Sequence, residues 1–326
     1  MNKRALEKLI CPICKKSLSL ENELLRCSEK HLFYLKEGVP DLLPSDLHKD
    51  LKSTSEIYGK LWAEDFDNFS QQKHTTWHYE EMKKALPEQI VRGTLGLEIG
   101  CGNGFDSLMI ANKNPNIHLC SIDISEGVFF GQHLKVKNDE SRVTFLRASA
   151  TDIPFQDNSF DFCYSFGVLH HLPDPIKGFE EMRRVLKPGA PFFLYLYEDH
   201  IENPMKYFSL KIVSWFRKFS KQLSPTQLKI MTTLLSPLVV LTFGWPSRLL
   251  YRFESTRPLA AKIPFNFGKG LFSVKEDLYD RFGAPFEHRF NQQSLLKIYH
   301  ALSFQKPFFT KLPGTAGWVT MGYKSQ

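Results

Sequence analysis

The clearest change of period along the chain falls near residue 95. Leu95, Leu97 and Ile99 form a short apolar run with an acid, Glu98, near its end. Glycines follow at alternate positions, Gly100, Gly102 and Gly104, and the apolar spacing then turns helical at Leu108, Met109 and Ile110. This reads as strand, tight turn, helix. A second apolar run, Ile117 to Ser125, contains an acid, Asp123, at its end, and Val143 to Arg147 reads as a third strand. The segment from Gln156 to Ser165 leads into a fourth. Phe179 to Leu186 is amphipathic and stops at Lys187-Pro188-Gly189, before a buried fifth strand at Ala190 to Tyr197. Near the end, a helix over Gln292 to Leu302, capped by Asn291, precedes a final antiparallel pair at Phe304 to Lys311 and Trp318 to Tyr323. Strands alternating with helices predict an α/β fold around a doubly wound, seven-stranded sheet.

Between strand five and the last helix lies an insertion, residues 201–275. Met205, Phe208, Ile212, Trp215, Phe216 and Phe219 recur there at helical spacing. Lys206, Lys211, Arg217, Lys218 and Lys221 stand between them. A second apolar stretch runs from Leu234 to Phe243, and Arg248, Arg252 and Arg257 follow; the segment's acids are Glu202 and Glu254. Three uses fit a basic, aromatic-rich helical segment: a lid over a substrate pocket, a contact with an anionic bilayer surface, or a contact with RNA phosphates. Met231 to Trp245 is the nearest approach to a membrane span. It is shorter than a span requires and Pro237 interrupts it, so no transmembrane helix is expected.

Composition narrows the class. The 326 residues are 42% hydrophobic and 24% charged, with a net charge of +7. These are globular values that permit an anionic partner. Met1 to Ile10 has charges throughout and lacks the apolar centre of a secretory signal. Six cysteines in such a chain point to reduced thiols or a metal site. The expected location is cytoplasmic, with membrane contact through the insertion as an option.

The glycine turn limits the ligand. Gly100, Gly102 and Gly104 let a ligand approach the backbone, and the following helix presents its free N–H groups. A dinucleotide fingerprint would need a third glycine at Phe105. The pattern hydrophobic–acid–hydrophobic–G-x-G-x-G instead resembles the first motif of class I S-adenosylmethionine (SAM) methyltransferases. The later segments resemble that family's motifs in order. Ala148 to Phe155 matches its third motif, with Ser149 where the family usually has an adenine-binding Asp. Phe166-Gly167-Val168-Leu169-His170-His171-Leu172 resembles the fourth motif of ubiquinone/menaquinone-type enzymes.

The resemblance implies a Rossmann-like methyltransferase domain split into residues 94–200 and 276–326. Its cofactor would be SAM, bound by Glu98, Gly100, Gly102, Gly104, Asp123, Ile124, Ser149, Ala150 and Phe166. Asp123 would meet the ribose hydroxyls. After a linker at its start, segment 46–93, with Tyr58, Trp62, Phe66, Phe69, Trp77 and Tyr79, would form a helical cap over the cofactor. His170 and His171 are the candidate general bases, and His288 and Arg289 are candidates to face the acceptor.

The first 45 residues form a separate module. Cys11-Pro12-Ile13-Cys14 is followed by Cys27 and then His31. Two ligand pairs on tight knuckles are what a tetrahedral zinc site needs in a segment too small to hold its own core. With Lys36 to Pro44, the spacing resembles the zinc ribbon of bacterial rRNA guanine-N1 methyltransferases, which implies either a grip on the substrate or a scaffolding zinc. The expectation is a SAM-dependent methyltransferase of a small-molecule or lipid-like acceptor. One alternative is an rRNA base methyltransferase whose ribbon binds RNA. Another is a non-catalytic SAM-binding or zinc-dependent adaptor.

Overall fold

The computed structural model describes residues 3–44, 47–69, 77–87, 91–264, 271–311 and 317–326. The chain opens with a helical turn, α1 (Lys3–Leu6), and four short strands, β1 (Leu18–Glu21), β2 (Leu24–Cys27), β3 (Leu32–Lys36) and β4 (Val39–Pro40). These pair in sequence order as an antiparallel sheet. Asn22 and Glu23 both have positive φ between β1 and β2, which gives the two-residue turn whose twist suits a hairpin.

Two helices follow, α2 (Lys49–Phe69) and α3 (Trp77–Ala85). The main sheet then begins with β5 (Leu95–Ile99), α4 (Phe105–Lys113), β6 (His118–Asp123), α5 (Gly127–Lys137), β7 (Val143–Arg147), β8 (Phe162–Phe166), α6 (Pro175–Val185) and β9 (Pro191–Tyr197). Every residue of β5 and β6 is buried, as parallel strands covered on both faces must be. The helix expected from Phe179 starts earlier, at Pro175. Asp174 caps it by accepting from the Ile176 and Lys177 N–H groups, and Pro175 takes the first turn, where no N–H is needed.

After β9 come α7 (Pro204–Ser220), α8 (Pro225–Val239), a π-helical turn at Val240–Gly244, α9 (Trp245–Tyr251) and a short α10 (Arg257–Ala260). Then come α11 (Leu271–Gly283), α12 (Gln292–Ala301), β10 (Phe304–Lys311) and β11 (Gly317–Lys324). The sheet order is β10-β11-β9-β8-β5-β6-β7. Strands β5 to β9 run parallel and β11 pairs antiparallel with β9 and β10. The expected seven-stranded, doubly wound α/β sheet is present. Its strand order reverses between β5 and β8, and ligands bind at such a switch point, beyond the carboxyl ends of the strands.

Two features differ from the sequence reading. The first is α11, which crosses the boundary drawn at 275/276. Its Val274, Leu278, Tyr279 and Phe282 pack with Leu228 and Val239 of α8 and with Ile57 and Leu61 of α2. The insertion therefore joins a helical layer rather than standing apart. The second is the length of a helix that the sequence reading made shorter than a membrane span. Pro225–Tyr251 is one helix of 27 residues, long and apolar enough by length and composition to cross a membrane, though no membrane defines its setting here. Pro237 does not end it. Proline has no N–H to give to the Thr233 carbonyl one turn back, and the Ser236 hydroxyl donates to that carbonyl at 3.0 Å.

The amino-terminal module is docked on the sheet. Leu9 bridges Phe155, Asp41 bridges Arg147 beside β7, and Lys15 pairs with Asp152. Ala5, Leu9, Cys11, Leu25, Phe33 and Leu42 share one core with Leu146, Ile153 and Phe155.

Candidate active site

The glycine turn leaves the end of β5 and enters α4. Gly100 has φ +76°, and a Cβ there would lie 2.0 Å from the Val168 side chain. A Cβ on Gly102 would lie 2.7 Å from the Trp62 indole, so α2 lies over the turn as a cap. Gly104, in left-handed conformation, starts α4 with no side chain to cap it, and the first helical N–H, that of Phe105, donates to the Asn103 Oδ1 at 3.4 Å.

Asp123 ends β6 beside this turn. Its Oδ2 accepts from the Gly102 N–H at 2.8 Å and its Oδ1 from the Ser125 N–H at 2.8 Å. The carboxylate holds the turn in place and keeps further lone pairs for a ligand. Burial pushes its pKa above the ordinary value against the pull of these donors and of Arg147. The neighbouring Ile124 carbonyl accepts from Ser55 and Arg147, tying α2 and β7 to the same corner.

Glu98 lies deeper. It is buried and accepts from the hydroxyls of Ser107 and Ser121. Burial, with Asp106 nearby, pushes its pKa up to about 8. Ser149, also buried, shares a 2.8 Å hydrogen bond with the Thr151 hydroxyl and accepts from the Thr151 N–H, and Ala150 is buried next to it. Phe166, at the end of β8, stacks between His78 of α3 and Tyr195 of β9, with centroids 4.0 and 4.4 Å apart. The backbone ends of β5, β6, β7 and β8 thus bring most of the sequence-derived residues to one corner. Phe66, Phe69 and Trp77 have side chains outside the described residues.

The two histidines part company. His170 is fully buried and stacks on Tyr197, with centroids 3.9 Å apart; neither ring nitrogen has a hydrogen-bond partner. Burial, then the neighbouring His171 and Arg289, hold its pKa well below the ordinary value, so it stays neutral. His171 is placed differently. Its Nδ1 lies 2.9 Å from the Phe286 carbonyl, which assigns the ring proton to Nδ1, and Nε2 faces Asp280 at 3.7 Å. Asp280 also accepts from the Tyr58 hydroxyl at 2.6 Å and the Tyr197 hydroxyl at 2.9 Å. Burial and Asp280 raise both tyrosine pKa values well above the ordinary one.

This Asp280 cluster was not assigned from the sequence. It joins α2, β9, the segment after β8 and α11. His288 and Arg289 serve the wall behind it. The His288 N–H donates to the His170 carbonyl, and Arg289 pairs with Glu287 at 2.7 Å. Arg217 of α7 reaches the same Glu287 at 2.7 Å and the Ala284 carbonyl at 2.7 Å. Although burial opposes it, Arg289, Arg217 and Arg281 bring the Glu287 pKa down to about 2.

At the other end of the chain, the ligand atoms of Cys11, Cys14, Cys27 and His31 lie within 4.8 Å of one another. His31 Nδ1 is 3.5 Å from the Cys11 sulfur and 3.4 Å from the Cys27 sulfur, and the Cys14 and Cys27 sulfurs are 3.5 Å apart. A tetrahedral zinc ion, with bonds of about 2.3 Å to sulfur and 2.0 Å to nitrogen, sets S···N edges of about 3.5 Å and S···S edges of about 3.8 Å. The donor set fits such an ion.

Comparison with known proteins adds a class. Residues 97–194 match the family described as "Methyltransferase domain". Over 147 residues the chain is 34% identical to a demethylmenaquinone methyltransferase from Listeria welshimeri, covering 44% of this chain and 59% of that protein. Over 161 residues it is 29% identical to 27-O-demethylrifamycin SV methyltransferase from Amycolatopsis mediterranei, covering 45% and 56%. The crystal structure of a SAM-dependent methyltransferase from Aquifex aeolicus is 27% identical over 36% of this chain and 65% of that one, with a TM-score of 0.34. The chain thus spans under six-tenths of the length of these two curated relatives. Residues 97–194 are a methyltransferase domain; the match lies within β5 to β9 and covers neither the ribbon nor the insertion.

Proposed function

We propose that the chain is a class I SAM-dependent methyltransferase acting on a small, lipid-like acceptor. The observation that carries this is Asp123, at the end of β6, bonded to Gly102 of the turn after β5, inside the matched domain. SAM supplies an already activated sulfonium methyl when bound. The chain's own residues supply position. Gly100, Gly102 and Gly104 open the backbone for close approach, with Glu98 buried beneath the turn. Asp123 offers lone pairs to the ribose hydroxyls. Ile124, Ser149 and Ala150 form the adenine side of the corner, where the Ser149 hydroxyl accepts more weakly than a carboxylate would, and Phe166, at the end of β8, lies on the other side of β5, towards the acceptor.

The acceptor lies towards the Asp280 cluster in this reading. His171 takes the acceptor proton at Nε2, while Nδ1 stays bonded to the Phe286 carbonyl. Asp280 stabilises the imidazolium that results. His170 is a packing residue behind it. Alignment of acceptor and methyl supplies most of the rate. The named relatives are methyltransferases of demethylmenaquinone and of 27-O-demethylrifamycin SV, which supports a small-molecule acceptor. Zinc held by Cys11, Cys14, Cys27 and His31 staples the ribbon, and the ribbon's core shared with β7 favours scaffolding over an RNA grip.

Calorimetry with SAM, followed by incubation of cell extract with heavy-methyl SAM, tests the proposal. The expected result is micromolar binding and a labelled small molecule or lipid. Label in rRNA instead would move the activity to the ribbon-bearing RNA class. Absence of SAM binding would sink the enzyme reading.

A further inference from the structure

Among the described residues, twenty-one large apolar side chains are exposed, and sixteen of them lie between residues 201 and 259. They are not scattered. On α7, Met205, Phe208, Ile212, Trp215, Phe216 and Phe219 fall on one stripe, while Arg217 and Ser220 face the body of the protein. On the 225–251 helix, Ile230, Leu234, Leu238, Leu241, Trp245 and Leu249 form a second stripe. Leu228, Thr232, Ser236 and Val239 face inward on that helix. A soluble monomer rarely leaves two such apolar stripes open.

The charge around the stripes narrows the occupant. Residues 201–262 contain ten Lys and Arg against two acids, Glu202 and Glu254. Lys211, Lys218, Lys221, Arg252 and Lys262 are exposed beside the apolar residues. Apolar stripes with Trp and Phe, edged by cations, match the boundary between acyl chains and anionic headgroups. We infer that α7 and the 225–251 helix form a monotopic docking surface for an anionic lipid bilayer, lying in the plane of its surface.

The 225–251 helix lies on the bilayer rather than crossing it. Its inner side is part of the core made with α11 and α2, and a crossing helix would have to leave that core. Likewise, α7 is bolted down by the ion pair of Arg217 with Glu287 and by the Ser220 hydroxyl on the Phe282 carbonyl at 2.8 Å. The helices are held from behind and present their outer stripes. This surface stands independently of the methyl-transfer reading, since none of its residues belongs to the glycine turn or the Asp280 cluster.

The test is flotation of the full chain with vesicles of phosphatidylcholine alone and of phosphatidylcholine with about one-third phosphatidylglycerol. Binding should be at least about tenfold stronger to the anionic vesicles and should weaken with salt. The pair Trp215→Asp and Trp245→Asp should lower it at least about tenfold, with SAM affinity and melting temperature kept. Lys211→Glu with Lys218→Glu should remove the preference for anionic lipid. Three outcomes would overturn the proposal. The chain could fail to float with either vesicle. It could form a soluble dimer that the Trp variants dissolve, which would make a second copy the occupant. Or it could resist alkaline carbonate extraction from cell membranes, which would mean a spanning helix.

Discussion

Asp123 accepts from two backbone N–H groups at once, so removing its carboxylate does two things. It takes away the proposed ribose partner, and it leaves the Gly102 and Ser125 N–H groups unpaired in a buried corner. Each such loss is worth about 1–3 kcal/mol. Asp123→Ala should therefore weaken SAM binding at least about tenfold by calorimetry, and unchanged affinity would remove Asp123 from the site. Glu98 makes a separate prediction through pH. Its ordinary pKa of 4.5 rises to about 8 in the fold, so between those values the folded chain holds a proton that the unfolded chain has lost. Stability from this group is full below 4.5 and falls as pH rises through about 8. Glu98→Gln keeps the neutral shape and cannot ionise. Its melting temperature should lose this part of the decline between mildly acidic and mildly alkaline pH, and an identical slope in both proteins would show that Glu98 does not titrate there.

At the scale of elements, the apolar periods gave the parallel strands because their boundaries are chemical: glycines after β5, an acid closing β6, Lys-Pro-Gly before β9. The 225–251 helix was not legible because proline reads as a break. Its continuity depends on a local repair, the Ser236 hydroxyl on the Thr233 carbonyl. That repair predicts a coupling. Ser236→Ala should cost about 1 kcal/mol in the native background. It should cost less when Pro237→Ala has returned the Thr233 carbonyl to the helical ladder. Denaturant titration of the two single variants and the double variant measures the difference; strict additivity would mean the hydroxyl is incidental. The Asp280 cluster was hidden for another reason. Tyr58 and Asp280 are 222 positions apart, and no periodicity links a tyrosine on α2 to an acid on α11. Asp280 could be seen only as one acid in a charged run. The histidine pair was visible as a pair, but both rings are buried, and only the partners each meets in the fold, the Phe286 carbonyl and Asp280 for His171 and none for the His170 nitrogens, separate their roles.

The whole molecule differs from its sequence outline in how few of its parts are separate. The sequence reading made the ribbon a separate module and the insertion a basic helical segment for a lid, a bilayer or RNA. Yet the ribbon's Leu9, Cys11, Leu25 and Cys27 lie in the same core as Leu146 and Phe155 of the sheet side. Lys15 pairs with Asp152 three residues from Ser149, and Asp41 pairs with Arg147, which in turn donates to the Ile124 carbonyl. A metal that orders Cys11 and Cys27 therefore acts on the wall of the candidate adenine corner, not only on the first 45 residues. This gives the zinc proposal a consequence that a detached ribbon would lack. Cys14→Ser, or extraction by a strong chelator, should remove about one zinc per chain. It should lower the single melting transition of the entire protein and weaken SAM binding with it, because disorder at Lys15 and Asp41 frees the β7 edge. A detached ribbon would instead lose its zinc with the main transition and the SAM affinity unmoved. Calorimetric melting and SAM titration of the native and metal-free chain decide between the two.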